Sequence, residues 1–160
     1  MTVYLSVAPP DGFAKWSDAD WERWLRDHPW EAAERVCSRG DWAIFLYQLQ
    51  KHCPRGKKGI EPLLEQLVNE RPLSTQQAED LRTALDVARS ELDGKPAEAM
   101  KQGGTPFASA EDLDGMIAAA RSRLGREPKL GEVWAEIFYQ LAKVLDRAAQ
   151  EKRGVYFGNV

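Results

Sequence analysis

The chain has 160 residues and a mass of 18.1 kDa, room for one domain able to bury about 70% of its unfolded surface without disulfide or metal staples. With 43% hydrophobic and 29% charged residues it lies outside the disordered class, and no apolar run nears the roughly 20 residues that cross a bilayer. A net charge of −3 speaks against a general nucleic-acid binder, and two cysteines, Cys37 and Cys53, are too few for a secreted disulfide framework.

The opening Met1 to Pro10 has no basic start and too short an apolar stretch for a secretory signal, so a cytoplasmic location is expected. No repeat of 20 to 50 residues is present, and residues 1–160 read as a single domain. From Val3 to Ala8, Val3, Leu5 and Val7 alternate with Tyr4 and Ser6, which predicts a strand that Pro9-Pro10 ends. Ser17 and Asp20 form a capping box for a helix from Asp18 to Asp27, with Trp16 and Trp21 placed as a hydrophobic staple. Pro29 stops that helix. A short helical segment is expected from Glu31 to Cys37, closing at Ser38-Arg39-Gly40.

Asp41 is placed to cap the next helix, whose Trp42, Ile44, Phe45, Leu46 and Leu49 cover more than one face and mark it as central to the core. Cys53 to Gly59, with Pro54, Gly56 and Gly59 among Arg55, Lys57 and Lys58, reads as an exposed loop, and Pro62 as the start of a helix carrying Leu63, Leu64, Leu67 and Val68. Ser74 with Gln77 boxes a further helix that ends near Leu92 before Gly94. One helical turn is expected between Pro96 and Gln102, and Gly103-Gly104-Thr105-Pro106 reads as a mobile loop. Ser109 with Asp112 opens a helix to Leu124, closed by Gly125. A long helix from Gly131 to Arg153 shows an apolar stripe of period 3.6, and Val155 to Phe157 reads as a closing strand. Because a two-stranded ribbon is marginal in water, the terminal strands are expected to share a small sheet, with room for a third strand, under a roof of helices. The expected class is α+β, mainly helical.

The chemistry-bearing residues are sparse. Cys37, His52, Cys53 and His28 match no metal-ligand spacing, and no metal or cofactor is expected. A hydrolase built on Cys37 or Cys53 has no local signature behind it. From Asp11 to Glu34, seven acids face three bases, a bias that would steer a basic partner. Trp24 and Trp30 flank this stretch as candidate interface anchors, against the plainer alternative that they pack onto the sheet, whereas Trp134, Trp42 and Trp21 read as core. Asp18, Asp20, Trp24, Asp27 and Trp30 are therefore the candidate partner-binding residues. Arg55, Lys57 and Lys58 are the candidates for an alternative function, a phosphate or small-molecule site with Gly103-Gly104 as a lid.

Several short segments, in order, carry a resemblance: Tyr4-Leu5-Ser6-Val7, Asp41-Trp42 with Phe45-Leu46, Leu73-Ser74 before Leu81 and Leu85, and Leu141, Ala148-Ala149, Glu151-Lys152 and Val155-Tyr156 at the end. In this order the chain resembles the YfbM-like bacterial proteins of unknown function. Where those proteins tend to show a segment with Gly and Tyr before the middle helix, this chain has Leu67 to Pro72. The resemblance implies an α+β fold with paired terminal strands and no known catalysis. By analogy of size and class, it points to an immunity-type protein that binds and occludes a toxin or other protein partner, with no nucleic-acid or membrane partner implied.

Overall fold

Strand β1, Thr2–Val7, is the middle of a three-stranded antiparallel sheet of order β2-β1-β3. The computed structural model of the chain describes residues 2–9, 15–27, 34–69 and 71–159. The fold is α+β and mainly helical, and its sheet joins the two ends of the chain, as the sequence predicts. β3, Val155–Asn159, pairs with β1 from Val3↔Asn159 to Val7↔Val155. The third strand is β2, Glu34–Ser38, whose register with β1 shifts by a bulge between Val3 and Tyr4. The helical segment expected from Glu31 to Cys37 is therefore overturned for its residues from Glu34 onward, while 31–33 lie outside the described residues. Only Val36 of the strand is buried. The bulge and the half-covered surface leave no period-2 signal, and pairing with β1 overrides local propensity.

One sheet face carries Val3, Leu5, Val7 and Val155, all buried under the helices. The helices follow as α1, Asp18–Asp27, α2, Arg39–His52, α3, Pro54–Val68, and α4, Thr75–Asp93. Then come a 3₁₀ helix at Ala97–Lys101, α5, Ala110–Leu124, α6, Leu130–Val133, and α7, Ala135–Glu151. None of the described helices is long and apolar enough to cross a membrane. The capping boxes at Ser74/Gln77 and Ser109/Asp112 form as predicted, and Gly125 closes α5 at φ +69°. Ser38 rather than Asp41 caps α2: its hydroxyl accepts from the Asp41 N–H at 3.1 Å and donates to the Asp41 carboxylate at 2.8 Å.

Three further expectations are corrected. Cys53 to Gly59 is not a loop, because Cys53, at φ −124° and ψ 68°, lies outside the helical region and Pro54 opens α3 directly, the helix position where a missing N–H costs least. Gly56 and Gly59, three residues apart and so on one face, lie against Ala88 and Ala84 of α4; a Cβ at Gly56 would stand 2.7 Å from Ala88. The glycines serve a close helix crossing. Pro62 lies inside α3 instead of starting it. Lys58 and Pro62 are both exposed, so water can satisfy the Lys58 carbonyl that loses its helical donor. The long C-terminal helix is also split at Trp134, whose backbone at φ −99°, ψ 12° ends α6 and precedes α7.

Phe45, fully buried on α2, joins these layers. Its ring meets Trp42 at 5.6 Å, Trp134 at 5.7 Å and Phe138 of α7 at 5.3 Å, and Trp42 in turn meets Phe157 of β3 edge-on at 5.5 Å. The far edge of β3 is closed at its start by the α3–α4 linker, where Leu73 N–H donates to the Val155 carbonyl at 2.8 Å and the Leu73 carbonyl accepts from Val155 N–H at 3.2 Å. Gly154 is buried at that crossing, and a Cβ there would strike the Leu73 carbonyl. The expected outcome for Gly154→Ala is a loss of about 1–3 kcal/mol, the range for overpacking, read as a lowered midpoint in chemical denaturation. Gly104→Ala, where a Cβ meets nothing within 4 Å but the backbone sits at φ +73°, should cost about 1 kcal/mol through backbone strain alone.

Candidate functional site

Helix α1 forms over its predicted span, and its cap is the predicted one: Ser17 N–H donates to the Asp20 carboxylate at 2.9 Å while Asp20 N–H donates to the Ser17 hydroxyl at 3.3 Å. These Ser17 bonds hold the Asp20 carboxyl below its usual range. The staple forms as well, with Trp16 and Trp21 edge-on at 5.4 Å. Trp21 is half-buried rather than core, and its ring leans on Tyr156 of β3 at 5.6 Å. This contact places α1 on the sheet face opposite the helical core. Trp24 is half-buried against Trp16 at 5.8 Å. Asp18, Glu22 and Asp27 remain exposed. Trp30 lies outside the described residues.

Arg55, Lys57 and Lys58 occupy the first turns of α3. The N–H groups an anion would use there are already taken, since the Glu91 carboxylate of α4 accepts from Gly56 N–H at 2.7 Å and from Arg55 N–H at 3.4 Å. An internal carboxylate thus fills the positive end of the helix. Lys57 pairs with Glu61 at 3.8 Å. Gly103 and Gly104 stand beside Lys51, whose ammonium donates to the Gly104 carbonyl at 3.5 Å. The sequence brings these bases together, but the fold spends the adjoining backbone on Glu91.

Gln48 and His52, one turn apart on α2, are both buried, a pairing the sequence reading missed. Gln48 donates to Thr105 Oγ1 at 3.2 Å and to the Met100 carbonyl at 3.4 Å, and Thr105 donates to the same carbonyl. The cluster pins the turn after the 3₁₀ helix. His52 Nδ1 lies 3.2 Å from Lys95 Nζ; an ammonium has only donors, so Nδ1 accepts and the ring proton sits on Nε2. Burial holds His52 below its usual range, Lys95 and Lys51 lower it further, and the Ala99 carbonyl opposes them. Both thiols are pushed up to about 12, chiefly by burial, with Asp41 adding at Cys37 and Glu91 at Cys53. Neither carries the thiolate that a nucleophile needs near neutral pH. Among the described residues, no three of His, Cys, Asp and Glu converge as a metal site.

One concavity is not readable from the sequence. A cleft of about 670 Å³ runs between β2 and the α6–α7 segment, floored by Met116 of α5. All five residues of β2 line it. Neighbouring strand residues alternate faces, so five in succession around one space means that β2 meets the cleft at its edge. Among the described residues β2 pairs only with β1. Glu34 is held toward α7 by Lys143 at 2.8 Å. On the other wall, Gln140 Nε2 donates to Glu136 at 2.8 Å, which leaves buried Gln140 Oε1 without a donor; buried Trp134 Nε1–H is likewise without an acceptor. Neither orphan is readable from sequence, where Trp134 registers only as a core position.

Compared with known proteins, the chain matches no family model, no curated protein and no solved structure.

His52 sets a pH dependence whose sign follows from its environment. The unfolded ring takes a proton near pH 6.5, whereas the folded ring resists it, so the unfolded state binds more protons as pH falls and stability falls with it. Between pH 7 and 5 the denaturation midpoint of the wild type should drop, and His52→Leu should flatten that slope. An unchanged slope in the variant contradicts the assignment.

Proposed function

We propose that the protein is an interaction module of the immunity type, which binds a basic protein partner and silences it by covering it. The observation that supports this reading is the build of α1. The helix rests on the outer sheet face through Trp21 and Tyr156, while Asp18, Glu22 and Asp27 stay in solvent. Exposed carboxylates, here set among the equally exposed Arg23 and Arg26, orient a basic partner, while affinity comes from apolar burial over about 800 Å² on each side. Asp18 and Asp27 are the charges to test, because Asp20 is committed to the helix cap. Trp24 contributes area as part of the Trp16–Trp21–Trp24 seam. The phosphate-binding alternative has less behind it, since Glu91 already sits on the α3 N-terminus.

The test compares capture from a lysate of the source organism by the wild type and by the double variant Asp18→Lys, Asp27→Lys. The wild type should retain one stoichiometric protein at low salt, and the variant should bind that protein about tenfold or more weakly with unchanged far-ultraviolet circular dichroism. Equal binding by the variant, or a wild type that retains nothing, overturns the reading.

A further inference from the structure

We infer that the cleft between β2 and α7 is a docking groove for an extended, basic peptide segment, which adds a strand to the open edge of β2. The inference rests on the reading of the chain as an interaction module and names the chemistry of what it receives. Three observations converge on it.

The first is the asymmetry of the sheet. The edge of β3 is closed at its start by the two Leu73–Val155 hydrogen bonds. The edge of β2 has no strand against it among the described residues, and it faces a cleft rather than flat surface. A strand edge presents a row of alternating N–H and C=O groups, and the backbone of another extended chain satisfies that row best.

The second is a pair of buried polar atoms belonging to two residues that line the opposite wall. Trp134, 3% exposed, holds an indole N–H with no acceptor. Gln140 holds a carbonyl oxygen with no donor. The Gln140 amide cannot simply be turned round, because Glu136 is a carboxylate that only accepts and therefore requires the NH₂ side. A buried orphan of either kind costs free energy unless a ligand supplies the partner. One donor and one acceptor together are complementary to a peptide group, which offers a C=O to the indole and an N–H to the glutamine.

The third is charge and size. Glu34, Asp41 and Glu136 line the cleft against Arg35; Glu34 is paired to Lys143, whereas among the described residues Asp41 and Glu136 are bonded only to the neutral Ser38 hydroxyl and Gln140 amide, which leaves their charges to attract a basic side chain. A volume of about 670 Å³ lies within the usual range of binding sites, about 300–1,000 Å³. Val36, Val133, Ile137 and Met116 supply an apolar lining for the side chains between the basic ones.

The probe is an acetylated, amidated hexapeptide of alternating lysine and valine, titrated into ¹⁵N-labelled full-length protein. Two comparison peptides accompany it, the glutamate–valine analogue and a lysine–valine peptide N-methylated on one edge. The resonances of the Trp134 indole N–H and of the Glu34–Ser38 amides should shift together. The lysine peptide should bind about tenfold or more tightly than either comparison peptide. Trp134→Phe, which keeps a ring and deletes the N–H, should weaken binding while far-ultraviolet circular dichroism stays unchanged, its smaller ring lowering the denaturation midpoint. Shifts confined to α1, equal binding of the N-methylated peptide, or no shift up to about 1 mM peptide overturn the groove. If the wild type still captures a partner through Asp18 and Asp27 while the peptides do not bind, the groove fails and the interaction reading stands. Peptide binding at β2 with no partner captured through α1 supports the groove and overturns the α1 placement.

Discussion

Everything in this molecule depends on β1 having a partner on each side. Val3, Tyr4 and Leu5 each face a residue of β2 and a residue of β3, so the opening segment of the chain cannot be ordered until residues more than 150 positions later have arrived. Such closure is entropically costly, and the structure offsets it locally. The Ala8 N–H bonds to the Gly154 carbonyl at 2.8 Å, and Leu73 takes the next pair of bonds on the other side. That crossing is so close that residue 154 has no room for a side chain. The aromatic series from Phe157 through Trp42 to Phe45 and Phe138 then fixes the sheet to α2 and α7.

Much of this was legible in the residues. Alternation in Val3, Leu5 and Val7, three boxes of the Ser-x-x-acid or Ser-x-x-Gln kind, and the positive-φ Gly125 located β1, α1, α4 and α5 almost to the residue. These are local signals, carried by contacts three or four positions apart. What was not legible depended on distant contacts. β2 has only Val36 buried and bends at a bulge, so nothing but the presence of β1 makes it a strand. Pro54, Gly56 and Gly59 have the composition of a loop, yet Ala84 and Ala88 across the helix crossing turn the glycines into packing residues. Trp134 continues the apolar stripe of α7 but bends the backbone out of the helix.

The candidate sites divide in the same way. The acids of α1 could be named from sequence because charge is local and surface-exposed. Arg55, Lys57 and Lys58 could be named too, but not the carboxylate of Glu91, 35 residues from Gly56, that claims the helix end beside them. The groove at β2 was invisible for a stronger reason. It is made of a strand edge, an unfilled volume and two orphaned polar atoms, and none of these is a property of a residue type.

The arrangement of β2, β1 and β3 is tested most directly by amide hydrogen exchange resolved residue by residue in the free protein. With β1 bonded on both sides, the amides of Val3, Tyr4 and Leu5 should exchange only through global unfolding, as slowly as any in the chain. The alternate amides of Glu34–Ser38 that do not face β1 should exchange orders of magnitude faster. Fast exchange along β1, or equally slow exchange on both sides of β2, would contradict a sheet whose centre is the first strand and whose open edge is the second.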